Sequence, residues 1–308
     1  MLGGSSAPPF QLPSVPLQHE FMSDDAHGEL GESATLAPID FVDGTYRSPP
    51  RRPSLLARAL PSWAFYPKFL RIVWKAGVFA KRSHYGYREW TQSSVDVMRA
   101  LESVGVRFEI TGIERIQKLR TPFLTVGNHM STLETAVLPS VIQPIHNVTF
   151  VVKQSLLEYP VFKYVMRSRD PVAVSQSNAR EDLKTMLVEG SARLNRGVSL
   201  VVFPEGRRTP VFDPARFNTI GVKIAQRTGA PIVPLALDTG AWGIGKWISD
   251  FGKIDPSRLV RFAFGEPMTV HGRGAEEHQA CIDFIQTNLR EWGGAGEQAA
   301  ARPAIATP

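Results

Sequence analysis

From residue 106 onward the sequence alternates short β-rich runs with helical segments, and this alternation limits the fold more than any other feature of its 308 residues. V-R-F-E-I-T (106–111), P-F-L-T-V-G-N (122–128), V-T-F-V-V-K (148–153), P-V-A-V-S (171–175), S-L-V-V-F-P-E-G (199–206), P-I-V-P-L-A-L (231–237) and L-V-R-F-A-F-G (259–265) each read as strands. Helical spacing fills most of the gaps. Over 178–196, Leu183, Met186, Leu187 and Leu194 recur at helical intervals, and Gly197 is placed to stop the helix. Near-continuous apolar strands separated by helices predict an α/β domain, with a mixed central sheet flanked by helices. In such domains polar residues at the carboxyl ends of strands form the site. Two stretches meet that description, Asn128-His129 and Pro204-Glu205-Gly206-Arg207-Arg208.

Ahead of this domain lies a basic, aromatic run, residues 62–82. Lys68, Arg71, Lys75 and Arg82 recur at helical spacing, and Phe65, Phe69, Ile72, Val73, Ala76 and Phe79 cover much of the remaining circumference. Two readings stand open: a helix lying in an anionic lipid interface, and a core-packing helix with a solvated basic face. The run is too interrupted by charge for a transmembrane span. A second pattern, with Trp90, Ser94, Val97, Met98 and Leu101 on one face, predicts an antiparallel helical hairpin. The expected organisation is an acidic, Pro-rich disordered tail over 1–57, a membrane-associating hairpin over 58–105, the α/β domain over 106–292 and a flexible tail over 293–308.

Charge distribution supports that division. The net charge is +6, yet residues 1–46 hold seven acids and no Lys or Arg, while residues 51–92 hold nine basic residues and one acid, Glu89. The first fifty residues lack a basic region followed by an apolar one, so no Sec signal peptide is expected. Aromatics among lysines and arginines also suit nucleic acid, but a broad apolar face beside the charges fits a bilayer boundary better, and no nucleic-acid partner is expected. One cysteine, Cys281, excludes an intramolecular disulfide. The seven histidines show no metal-ligand spacing, and neither a metal nor a cofactor is expected. No G-x-S-x-G elbow is present, which argues against a serine hydrolase.

The chemistry concentrates at V-G-N-H-M-S-T-L-E-T, residues 126–135. With Ser131 as N-cap, Glu134 falls at N3, and S-x-x-E is a capping box that accounts for both residues without catalysis. It leaves His129 unexplained. His129 and Glu134 are five apart, so within one helix they point about 140° away from each other. They pair only if His129 precedes the helix, where the strand and cap signals put it. A carboxylate against one imidazole nitrogen fixes the tautomer and frees the other to accept a proton from a hydroxyl.

G-N-H-M-S-T-L-E (127–134), F-P-E-G-R-R-T (203–209) and I-V-P-L (232–235), in that order, resemble the motif blocks of the glycerophospholipid acyltransferases, and among them the bacterial 1-acyl-glycerol-3-phosphate acyltransferases. The likeness runs from about Leu60 to about Asn288. It implies that His129 is the catalytic base, that Glu134 stands at the place of the dyad acid, and that Glu205, Gly206 and Arg208 hold the acyl acceptor, with Arg208 on its phosphate. Arg207 replaces the usual Thr and adds a cation. Gln176 stands where the family has an Arg, and Asn218-Thr219 where it has two lysines; Glu134 is one methylene longer than the usual Asp. The resemblance therefore implies a membrane-associated O-acyltransferase using acyl-CoA or acyl carrier protein as donor and a lysophospholipid as acceptor, on the cytoplasmic face of an anionic membrane. The altered positions keep two alternatives in play, a different lysolipid or amphiphilic acceptor and a non-catalytic lipid binder.

Overall fold

The structure is a computed structural model that describes residues 39–159 and 162–293. In chain order the elements are β1 (Tyr46–Arg47), α1 (Leu55–Ala59), α2 (Pro61–Lys81), α3 (Tyr87–Ser103), β2 (Arg107–Thr111), α4 (Ile113–Gln117), β3 (Leu124–Gly127), α5 (Thr132–Ile142) and β4 (Val148–Lys153). They continue with α6 (Lys163–Arg167), β5 (Val172–Val174), α7 (Ala179–Asn195), β6 (Ser199–Val202), α8 (Ile220–Thr228), β7 (Ile232–Asp238), β8 (Leu259–Phe264) and α9 (Ala275–Glu291). The seven expected strands all form. Among the described residues they join β1 in a mixed eight-stranded sheet of order β1-β2-β8-β7-β3-β6-β4-β5. Neighbours from β7 to β5 run parallel, whereas β8 is antiparallel to β7, and β1 to β2.

Alternate residues of the central strands feed two cores. Val201, Val233, Leu235 and Leu237 point to the side covered by α2, α3 and α5, while Leu200, Val202, Ile232 and Ala236 point to the side of α7, α8 and α9. All seven residues of β7 are buried, which explains a strand that reads as an unbroken apolar run. Side chains still alternate between the two cores, but with both faces dry the sequence shows no polar–apolar period there.

The helical run ahead of the domain is more deeply integrated than its composition suggests. Phe65, Phe69, Val73 and Ala76 of α2 are buried in the same core as β7 and α5, and Lys68 Nζ in the first half of α2 donates at 2.7 Å to Ser103 Oγ at the end of α3, as in an antiparallel pair. All five residues expected on the inner face of α3 are buried. The other side of α2 faces solvent, with Trp63 77% and Trp74 69% exposed beside Lys68, Arg71 and Lys75. The helix therefore has a core-packing face and an exposed basic, aromatic one. No helix among the described residues is long and apolar enough to cross a membrane.

The expectation of a disordered tail over 1–57 needs correction. Residues 1–38 lie outside the described residues, as do 294–308 of the expected C-terminal tail, but 39–57 are built into the fold. Tyr46 pairs with Ile110 and Arg47 with Glu109, Ile39 is buried, and the Tyr46 and Ser48 hydroxyls donate to the buried Glu102 at 2.5 and 2.6 Å. A two-residue strand has no period to read. Its partners lie more than fifty residues away.

Candidate active site

The parallel core brings the two candidate stretches together. β3 pairs with β6 in the register Val126↔Val202, so residues 128–131 and 203–209 leave the sheet side by side. β7 flanks β3 on its other edge with Val126↔Pro234 and delivers Asp238-Thr239 to the same end. Asn128 locks the exit: its amide donates to Leu237 O and its Oδ1 accepts from Leu237 N–H, both at 2.9 Å. This places His129 in the turn before α5, not within it.

From there His129 Nδ1 lies 2.9 Å from Glu134 Oε1. The same oxygen accepts the N–H groups of Met130 and Ser131 at 2.7 and 2.8 Å, and Ser131 Oγ accepts from Leu133 N–H at 3.1 Å. One carboxylate therefore caps the helix and meets the histidine at once. Capping and pairing are not alternatives here, because Glu at N3 folds back over the first turn and the turn carries His129. Glu134 Oε2 receives the Thr239 hydroxyl at 2.7 Å, with Ser131 Oγ at 2.9 Å. Burial opposes the charge on Glu134, but the hydrogen bonds and charge of His129, the Thr239 hydroxyl and the Ser131 N–H outweigh it and hold its pKa below the ordinary value of 4.5.

The imidazole stacks on Phe203, with centroids 4.4 Å apart and planes 7° from parallel. Its side chain is 17% exposed, enough for a substrate atom to reach the ring, and Glu134 on Nδ1 leaves Nε2 as the proton-accepting edge. Glu205, largely buried, accepts the His129 N–H at 2.8 Å and the Thr209 hydroxyl at 2.9 Å, while Thr209 N–H donates to His129 O at 2.8 Å. Burial raises the pKa of Glu205 despite those hydrogen bonds. Glu205 thus buttresses the histidine loop, a contact that its place in F-P-E-G does not reveal.

The remaining candidates form a second cluster. Gly206 has φ +70°, a left-handed turn that a side chain would strain. Gln176, with φ +61°, donates its amide to Gly206 O at 2.9 Å, so the stretch after β5 meets the stretch after β6. Arg208 is already engaged. Its guanidinium donates to Asp250 Oδ1 at 2.6 Å, to Ser249 Oγ at 2.9 Å and to the Thr132 hydroxyl. Arg207 is exposed and has no hydrogen-bond partner among the described residues. Asn218 donates to Pro204 O and accepts from Ile220 N–H at 2.9 Å, serving the loop before α8. Sequence reasoning missed Thr239, Asp250 and the stacking role of Phe203. Phe203 stood inside a recognised motif, but nothing local marks the other two.

A family model described as Acyltransferase matches residues 107–238. A 1-acyl-sn-glycerol-3-phosphate acyltransferase of Pseudomonas aeruginosa is 28% identical over 218 residues, which span 69% of this chain and 80% of that one. A chloroplastic enzyme of the same description from Brassica napus is 29% identical over 129 residues, 42% of this chain and 36% of its own length. The crystal structure of the 1-acyl-sn-glycerophosphate acyltransferase of Thermotoga maritima superposes with a TM-score of 0.59, covering 79% of this chain and 96% of that one; at 19% identity it speaks for the fold. Over residues 107–238 the chain is similar to the acyltransferase family. By class it is an O-acyltransferase with an α/β fold.

Proposed function

We propose that the protein transfers a fatty acyl group from acyl-CoA or acyl carrier protein to the free hydroxyl of 1-acylglycerol-3-phosphate at an anionic membrane surface, giving phosphatidic acid. The observation that carries this reading is the His129–Glu134 pair at 2.9 Å, set in the turn ahead of α5 at the end of β3. His129 Nε2 takes the hydroxyl proton as the oxygen attacks the thioester carbonyl carbon. The tetrahedral adduct collapses with cleavage of the C–S bond, and the departing thiolate takes up the proton from the imidazolium. Glu134 stabilises that imidazolium and fixes its tautomer. Helix-start N–H groups are natural donors to the developing oxyanion. Here those of His129, Met130, Ser131 and Leu133 are taken by Glu205, Glu134 and Ser131, so the oxyanion falls to other groups.

Glu205 and Gly206 shape the acceptor pocket, with Arg208, Arg207 and Gln176 along its polar end. One observation favours a second reading of the acceptor. Arg208 shares its charge with Asp250, and Gln176 and Asn218 bring no cation, which suits a head group less anionic than a phosphate monoester.

The test is to incubate the full chain and its His129→Ala variant with labelled acyl-CoA or acyl carrier protein and a panel of lysolipids. Histidine-dependent phosphatidic acid supports the first reading. Transfer only to other acceptors selects the second, and no transfer from either donor overturns both.

A further inference from the structure

Between β7 and β8 the chain extends into a finger, residues 243–252, whose tip carries none of the candidate site residues. Its stem is fixed. Gly243 N–H donates to Lys253 O at 2.9 Å, Trp242 bridges Ile254, and a Cβ on Gly252 would lie 1.6 Å from Gly243 O, so only glycine lets the arms meet there. Trp242 is fully buried, edge-on to Phe65 and Phe69 of α2, and the Tyr66 hydroxyl donates to Gly252 O. The stem is thus packed on the helix whose outer face carries Trp63, Trp74, Lys68, Arg71 and Lys75.

The tip has the opposite character. Gly245 N–H donates to Ser249 O at 3.2 Å and closes it, yet Trp247 is 98% exposed and Ile248 50%, with Ile244 and Lys246 beside them. A tryptophan held almost wholly in water contributes nothing to this core, and a Trp/Ile/Lys tip without an acid from 243 to 249 has the make-up of an interfacial anchor. The finger's one acid, Asp250, is spoken for by Arg208.

We propose that this finger is a second lipid-contacting element, which inserts Trp247, Ile248 and Ile244 into the interface of an anionic bilayer with Lys246 at the level of the head groups. The inference rests on the membrane-surface reading above and extends it to a segment outside the helical hairpin. The packing of the stem on α2, whose other side carries exposed Trp63 and Trp74 with Lys68, Arg71 and Lys75, and the positive charge of Lys246 select an anionic bilayer as the occupant. Because Ser249 and Asp250 hold Arg208, seating the finger also sets where the acceptor-binding guanidinium stands relative to the lipid surface.

The native cysteine makes a direct test possible, since Cys281 is buried and its thiol is pushed up to about 12 by burial. Trp247→Cys and, separately, Trp74→Cys in the full chain are labelled with an environment-sensitive fluorophore and mixed with phosphatidylcholine vesicles with or without phosphatidylglycerol. A blue shift and protection from iodide at both positions, dependent on the anionic lipid, is the expected result. Protection at 74 with position 247 still quenched overturns the proposal and leaves the hairpin reading intact; no protection at either overturns both. Protection of 247 without vesicles overturns it too, assigning the tip to a second copy if it grows with protein concentration and to the chain's own residues if it does not. The unlabelled Trp247→Ser protein should bind anionic vesicles roughly tenfold more weakly, with unchanged turnover of a water-soluble short-chain acceptor.

Discussion

The two ends of the site are held on different terms. At the His129 end, both Glu134 oxygens and both Glu205 oxygens have hydrogen-bond partners, and the groups issue from three adjoining strands with the dry sheet directly beneath. At the Arg208 end, Gln176 and Arg207 are exposed, and Arg208 is held by Ser249 and Asp250 of the loop after β7 and by Thr132 at the start of α5. Under the proposed function, that difference divides reaction from recognition. Proton transfer would then be fixed by burial and a shared carboxylate, whereas head-group selection would rest on surface charges that change at little cost to the fold.

The largest effect should come from His129→Ala, which removes the proton acceptor. We expect acyl transfer to fall about 10²–10⁴-fold with a nearly unchanged unfolding midpoint, measured on the same preparation by product formation and circular dichroism. A collapse of the midpoint would mean that the histidine supports the fold as well, and the contrast would blur.

Glu134→Gln comes next and should reduce both activity and stability, the latter by about 1–3 kcal/mol, because a buried carboxylate that serves five donors is replaced by an amide. Glu134→Asp should retain more activity than Glu134→Gln, since charge on Nδ1 outlasts imperfect capping; equal losses would make the capping role the dominant one. Acid titration gives an independent reading. A carboxyl whose folded pKa lies below 4.5 contributes stability that is complete above 4.5 and is lost as pH falls through the lower folded value. Glu205, raised by burial, acts with the opposite sign, costing stability as pH rises from 4.5 through its folded value. Thermal midpoints between pH 3 and 6 should therefore lose their acid slope in Glu134→Gln and regain stability near neutrality in Glu205→Gln only if that glutamate's contacts survive the change.

Arg208→Ala should raise KM for an anionic lysolipid by roughly tenfold, with little change in kcat, sharpening the division between recognition and reaction. The smallest effects belong to added or uncovered charge. Asp250→Asn and Gln176→Arg should each lower KM for a phosphate-bearing acceptor by roughly two- to fivefold, the range of a partly exposed ion pair. Steady-state kinetics on mixed micelles would show it. A loss of kcat in Asp250→Asn would instead mark Asp250 as a positioning residue for the whole turn.

Legibility in the sequence followed the same line as rigidity. The strand at 122–128, the cap at Ser131 and the helix over 178–196 are local patterns, and the structure realises each within about two residues. His129 was visible as the residue that capping left unexplained. Thr239 and Asp250 were not visible, because they reach Glu134 and Arg208 across 105 and 42 residues and belong to no local motif. β1 escaped for a related reason, being too short to show a period and dependent on Glu102 and β2 for its place.

By itself, then, the sequence determined the seven strands from residue 106 onward, the helical character of most segments between them and which chemical groups stand at their ends, since periodicity, caps and motif spacing act over a few residues. Only the tertiary structure decided that β3 lies between β6 and β7, that one glutamate both caps α5 and meets the histidine, and that Arg208 is met by a carboxylate from a distant finger. Those outcomes depend on which apolar faces bury one another, and burial sums over the whole chain before it places any single pair.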